Sequence, residues 1–98
     1  MLEKRDLVIS RKYQKQSEVR NLFVAQISGG NLASTIFRYE VWIGNYEEQH
    51  KRKTSGNAYA IRRVFIEALL DLQEDGWTRM NSANYAHPQE KFFDPAQL

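Results

Sequence analysis

The most regular pattern of apolar and polar positions in the chain lies between residues 54 and 76. Ser55 and Asn57 are the candidate residues for the helix N-cap, and Gly76 is the usual type of residue at a helix stop. The pattern therefore predicts an amphipathic helix within residues 55–76. Apolar residues at the i, i+3, i+4, i+7 spacing form its buried face: Ala58, Ile61, Phe65, Ala68, Leu69 and Leu72.

Upstream of this helix, the apolar residues alternate with the two-residue period of β-strands. Leu7-Val8-Ile9 begins a first strand that places Leu7, Ile9 and Tyr13 on one face, and the apolar run 22–27 indicates a central second strand. The clearest strand is 35–43. One of its faces carries Phe37, Tyr39, Val41 and Ile43, and the other carries Ile36, Arg38, Glu40 and Trp42.

Turn residues and segment order determine how these elements connect. Gly44-Asn45 predicts a tight hairpin into a polar edge strand at 47–53. Residues 77–80 are either a short fifth strand or an extended return. We therefore expect an α+β fold: an antiparallel meander sheet of three to four strands with one C-terminal amphipathic helix packed on one face, and an irregular C-terminal tail.

The 98 residues suffice for one domain with one core. Its predicted parts are a sheet at 1–54, a helix at 55–76 and a short strand or extended tail at 77–98. The helix is expected to cover the sheet face that carries Phe37 to Ile43. The opposite face is expected to stay open, with Trp42, Arg38, Glu40, Val24 and Gln26 on it.

Composition excludes several classes of protein. The chain has no cysteine, which rules out disulfides and thiolate metal sites. No apolar run reaches the roughly 20 residues that a membrane-spanning helix needs, and the first six residues lack the apolar stretch of a secretory signal. We therefore expect a cytoplasmic protein that does not enter a membrane.

The net charge of +2 is unevenly distributed. Residues 1–66 contain 12 Lys and Arg against 6 Asp and Glu, whereas residues 67–98 contain 2 against 6. Basic side chains concentrate where the positive end of the helix dipole falls, which favours an anion site. The alternative is a solvated loop beside an ordinary helix. The candidate phosphate contacts are Lys51, Arg52, Lys53, Arg62 and Arg63.

Trp42 and Arg38 add an aromatic ring and a cation on the predicted open face. Such a combination can stack unpaired bases and hold phosphates. The alternative is that the C-terminal tail or a second subunit covers Trp42.

Residues 51–72, which lead from basic side chains into an amphipathic, alanine-containing helix, resemble the end of a double-stranded-RNA-binding domain. In that family these elements contact phosphates. The family's first helix and its Lys-Lys-x-Ala-Lys element are missing here. The strand order is also similar, at the level of topology alone, to small single-strand-binding folds with four strands followed by a helix.

Catalytic signatures are absent from the sequence. His50 and His87 lie far apart, and no nucleophile elbow, P-loop or dinucleotide fingerprint occurs. On a strand, Glu47 would point away from Glu48 and His50, which disfavours a metal site. We therefore expect no enzymatic activity, no cofactor and no bound metal.

Two hypotheses about function follow. The first is a non-enzymatic module that binds a polyanion, most simply DNA or RNA, through residues 50–63. The second is a small regulator or inhibitor that binds another protein, or a second copy of itself as a homodimer. Its contacts would come from the flank of the helix and from the aromatic residues of the tail: Ile66, Leu70, Phe92 and Phe93.

Overall fold

The structure is a computed structural model that describes residues 3–30, 35–45, 47–80 and 87–94. Its strands form one antiparallel sheet in the order β4-β3-β2-β1-β5. The α+β class and the meander with a helix on one face are confirmed. The elements are β1 Lys4–Lys15, β2 Glu18–Gly30, β3 Thr35–Gly44, β4 Gln49–Ser55, α1 Ala58–Glu74, β5 Thr78–Arg79 and α2 Glu90–Phe93.

Two details differ from the expected fold. The sheet has five strands rather than three to four, because residues 77–80 follow the first of their two predicted alternatives: the two-residue β5 pairs with β1 at Tyr13 and Gln14. The tail also contains the short helix α2, so it is not irregular throughout.

Helix α1 forms within the predicted range and buries the predicted face. The Asn57 side-chain oxygen accepts hydrogen bonds from the backbone N–H groups of Tyr59 and Ala60, at 3.0 and 3.3 Å. The helix ends before Gly76, whose φ of +87° suits a residue without a side chain. Its buried residues are Ile61, Phe65, Ala68, Leu69 and Leu72.

The core lies between α1 and one face of the sheet, which we call the helix-bearing face. Leu22 and Val24 of β2 and Val41 of β3 are fully buried there. Tyr39 and Ile43 pack against the same cluster. Phe37 shares this side of β3 but is 52% exposed, so the expectation that it meets the helix is wrong.

A β-bulge in β1 changes which residues of that strand face the core. Leu7 pairs with Ala25 and Ile9 pairs with Val24, which leaves Val8 as an extra residue. Val8 and Ile9 are consequently both buried, whereas Leu7 is 42% exposed. The prediction that Leu7 shares a face with Ile9 and Tyr13 is therefore wrong, because it assumed an uninterrupted alternation.

The alternation of β2 also differs from the prediction. Val24 lies opposite Val41, and Gln26 lies opposite Tyr39, so both belong to the helix-bearing face. Phe23 lies opposite Trp42 on the other side of the sheet. A strand that is apolar on both sides gives no sequence signal for which side meets the helix.

The β3–β4 connection requires glycine at its first position. A Cβ on Gly44 would overlap the backbone carbonyl oxygen of Glu48. Asn45 closes the turn by accepting hydrogen bonds from the N–H groups of Glu47 and Glu48, at 2.9 and 2.8 Å. The following strand, β4, lies at the sheet edge as predicted, and six of its seven residues are exposed.

A buried arginine holds α2 against β1. Arg11 is 6% exposed and donates to the Glu90 carboxylate at 3.0 Å, with Asp94 at 3.9 Å. The Phe93 ring is fully buried and lies 5.6 Å from the Tyr39 ring. The segment around α2 is therefore part of the packed structure.

Replacing Phe65 by Ala should lower the free energy of unfolding by about 3–5 kcal/mol, because a fully buried ring leaves a cavity. Leu70 lies on the same helix but is 53% exposed. Replacing it by Ala should therefore change the free energy of unfolding by about 0.5 kcal/mol or less. Urea unfolding of both variants measures the difference. Equal losses for the two would show that the buried face of α1 is assigned wrongly.

Candidate nucleic-acid interface

The side of the sheet opposite α1 and α2, here called the open face, contacts neither helix. Strand alternation and the pairing registers define its members. One row of paired residues crosses all four long strands, from Lys51 through Trp42 and Phe23 to Ser10. The members of the open face include Arg5, Leu7, Ser10 and Lys12 of β1, Asn21, Phe23, Ala25 and Ile27 of β2, Arg38, Glu40 and Trp42 of β3, and Gln49, Lys51 and Thr54 of β4.

A buried carboxylate organises the centre of this face. The side chain of Glu40 is only 4% exposed, and its Oε1 accepts hydrogen bonds from Arg5 Nη2 and from Trp42 Nε1, both at 3.1 Å. Its Oε2 lies 3.5 Å from Lys51 Nζ. A buried carboxylate without partners would be strongly destabilising, so these three groups make its burial possible.

The same three groups form an aromatic and cationic cluster. The Arg5 guanidinium carbon lies 5.8 Å from the centroid of the Trp42 ring, and Lys51 Nζ lies 5.9 Å from it. The Phe23 ring is parallel to Trp42 within 6°, with 6.4 Å between the ring centroids. Base stacking on aromatic rings and phosphate pairing with cations both require groups of this kind.

Further polar groups extend the open face towards its two ends. Arg38 pairs with Glu3 at 3.0 Å, and both side chains are exposed to solvent. At the other end, Lys12 lines a cavity of about 100 Å³ together with Asn21 and Gln49. The face therefore presents hydrogen-bond donors on both sides of the aromatic pair.

The structure brings three of the predicted nucleic-acid contacts together on this face: Lys51, Trp42 and Arg38. It does not place the five basic residues near the helix start on one surface. Lys51 contacts Glu40 on the open face, whereas Lys53 pairs with Val41 on the helix-bearing face. The candidate phosphate contacts 51–53 are therefore divided between the two faces, by strand alternation and by a bulge in β4.

Arg62 and Arg63, the two residues of that predicted set on α1, lie away from the open face. Arg62 Nε donates to the backbone oxygen of Phe92 at 2.8 Å, and its guanidinium lies 5.7 Å from the Phe92 ring. Arg63 is exposed on the outer side of α1. Asn57 already accepts hydrogen bonds from two N–H groups of the first helical turn. Arg62 therefore contacts the α2 segment in this structure.

The residues of the protein-binding hypothesis are only partly accessible. Leu70 is 53% exposed, and Ile66 is half-buried beside it. Phe92 is half-buried and packs edge-on against Tyr59, with 5.1 Å between the ring centroids. Phe93 is fully buried in the chain's own core. Phe93 is thus a core residue in this structure and not a surface for a partner.

Sequence reasoning missed Arg5 and Phe23. The register between β2 and β3 locates Phe23. The alternation of β3 places Trp42 away from the core, and Phe23 lies opposite Trp42. The position of Arg5 depends on the bulge at Val8, which the apolar pattern of β1 does not show.

Among residues 3–30, 35–45, 47–80 and 87–94, no group of three or more His, Cys, Asp or Glu side chains is arranged to hold a metal ion. None of the helices in these segments is long and apolar enough to cross a membrane.

Comparisons with known proteins give no relative. No model of a known protein family matches the chain, and no curated protein and no solved structure matches it significantly.

Replacing Glu40 by Gln should lower the free energy of unfolding by about 1–3 kcal/mol, because Arg5 and Lys51 lose the charge that they contact. Replacing Glu3 by Gln breaks an exposed pair and should change it by about 0.5 kcal/mol or less. Urea unfolding of the two variants tests this. A Glu40 variant as stable as the wild type would contradict the organising role of this carboxylate.

Proposed function

We propose that the protein is a non-enzymatic module that binds single-stranded nucleic acid on the open face. The observation that supports this most is the parallel pair of Phe23 and Trp42 with the cations Arg5 and Lys51 beside Trp42. The proposal keeps the nucleic-acid hypothesis from the sequence but moves its centre from residues 50–63 to the sheet surface. Lys51 belongs to both versions.

Single strands fit this surface better than duplexes. The bases of a duplex are stacked on one another, whereas unpaired bases can leave the stack and rest on aromatic side chains. An open sheet face with two adjacent rings offers such a platform, and a stacked base contributes about 1–3 kcal/mol regardless of its identity. We therefore expect weak sequence preference.

The charge of the open face sets the expected salt dependence. Among the described residues this face has four cations, Arg5, Lys12, Arg38 and Lys51, and two carboxylates that pair with them, Glu3 and Glu40. The surplus is two positive charges. Two phosphate contacts give a slope of log K against log salt of about −1.4, at about −0.7 for each contact in a single strand. The proposed affinity is consequently modest and easily reduced by salt.

The test compares two aromatic substitutions. Replacing Trp42 by Ala should weaken binding of a fluorescent 12-nucleotide single strand by about 1–3 kcal/mol, because a stacking surface is lost. Tyr59 is the matched control, since it is 73% exposed but lies on α1, away from the open face. Replacing Tyr59 by Ala should leave the affinity unchanged. Fluorescence anisotropy over a salt series measures both variants.

Either of two results would contradict this proposal. One is a wild-type protein that does not bind single strands at low salt, which would favour the protein-binding hypothesis centred on Ile66 and Leu70. The other is equal affinity of the Trp42 and Tyr59 variants, which would place the binding surface elsewhere.

A further inference from the structure

A second cationic site lies on the helix-bearing face, outside the surface discussed above. It is a cavity of about 270 Å³ where the β3–β4 turn meets the start of β2. Three of its lining residues are of basic types: Arg20, His50 and Arg52. Gly44 and Asn45 separate this cavity from the smaller one beside Lys12, because both residues line both cavities.

Arg20 is held in place by an aromatic ring rather than by a carboxylate. Its guanidinium carbon lies 4.6 Å from the centroid of the Trp77 ring, which is itself buried. Within the described segments of the chain, neither Arg20 nor Arg52 forms an ion pair with an Asp or Glu. A cation–π contact leaves the N–H groups of a guanidinium available to an anion that lies in the plane of the guanidinium.

A bulge in β4 explains why Arg52 lines this cavity. Val41 pairs with Lys53 and Trp42 pairs with Lys51, so Arg52 is the extra residue between them. A bulge redirects side chains and often occurs beside binding sites. Arg52 thereby lines the same cavity as Arg20, whereas Lys51 remains on the open face.

We propose that this cavity binds a phosphate group. Arginine side chains match phosphate oxygens through paired N–H donors, and the cavity lining contains two of them, Arg20 and Arg52. Glu48 also lines the cavity and opposes an anion, but it lies 3.3 Å from His50 Nε2 and is largely exposed. The balance of two arginines against one carboxylate still favours a negative ligand.

The phosphate can come from a free anion or from the end of a nucleic-acid strand. The site does not depend on nucleic-acid binding by the open face, since Trp42 and Phe23 do not line the cavity. Pyrophosphate serves as the free anion in the test. A pair of identical single strands, one with a 5′ phosphate and one without, serves as the second source.

The test rests on two neighbouring basic residues of one exposed strand. Replacing Arg52 by Gln should weaken pyrophosphate binding about tenfold, the effect of a lost charge-assisted hydrogen bond. Replacing Lys53 by Gln removes the same charge outside the cavity lining and should change affinity by about twofold or less. Replacing Glu48 by Gln should strengthen binding about threefold. Isothermal titration calorimetry measures all three variants.

Two results would overturn the site. One is a wild-type protein that does not bind pyrophosphate at millimolar concentration. The other is an equal loss for the Arg52 and Lys53 variants, which would indicate non-specific charge attraction.

If pyrophosphate binds as expected, the two strands then identify the source of the phosphate. A 5′ phosphate that strengthens strand binding in the wild type but not in the Arg52 variant assigns the phosphate to a strand end. An equal effect in both assigns it to a free anion. Loss of strand binding in a Trp42 variant that still binds pyrophosphate separates this site from the proposed function.

Discussion

The packing of the 17-residue helix α1 against one face of a five-stranded sheet is the constraint on which the rest of the structure depends. Ile61, Phe65 and Leu69 of α1 bury the apolar side chains of β2 and β3 on that face. Helix α2 adds to the same side through Phe93 and the ion pair of Arg11 with Glu90. The opposite face receives neither helix, and among the described residues its polar contacts come from its own side chains.

Glu40 makes the central contacts on that face and thereby orders the proposed binding surface. Burying a carboxylate costs free energy, and its ion pairs repay the cost only when hydrogen bonds satisfy its oxygens. Arg5, Lys51 and the Trp42 indole supply these contacts. The same contacts restrict the orientation of the Trp42 ring, so less conformational entropy remains to be lost when a ligand stacks on it. A structural requirement and a binding role can thus share one set of residues.

How much of this could be predicted from the sequence depends on whether a pattern was local. The buried face of α1 and the alternation of β3 follow from spacing within one element, and the structure confirms them. Of the two candidate N-caps, Ser55 and Asn57, the structure selects Asn57. The sequence does not indicate on which face of the sheet the side chains of Leu7, Val24 and Arg52 lie. Two depend on bulges, which arise where paired strands differ by one residue, and the third lies in a strand apolar on both sides. The candidate interface combines residues from four strands, so its composition required the registers.

The signals of the two indole N–H groups provide the most direct test of the central claim, that the open face is the nucleic-acid surface. Trp42 donates to Glu40 on that face, and Trp77 donates to Asp75 on the other side of the sheet. The experiment titrates ¹⁵N-labelled protein at low salt with a single strand that lacks terminal phosphates. The NMR chemical shift of the Trp42 indole N–H should change until binding saturates, and that of Trp77 should stay constant. A stationary Trp42 signal, or a shift of Trp77 alone, would contradict the account.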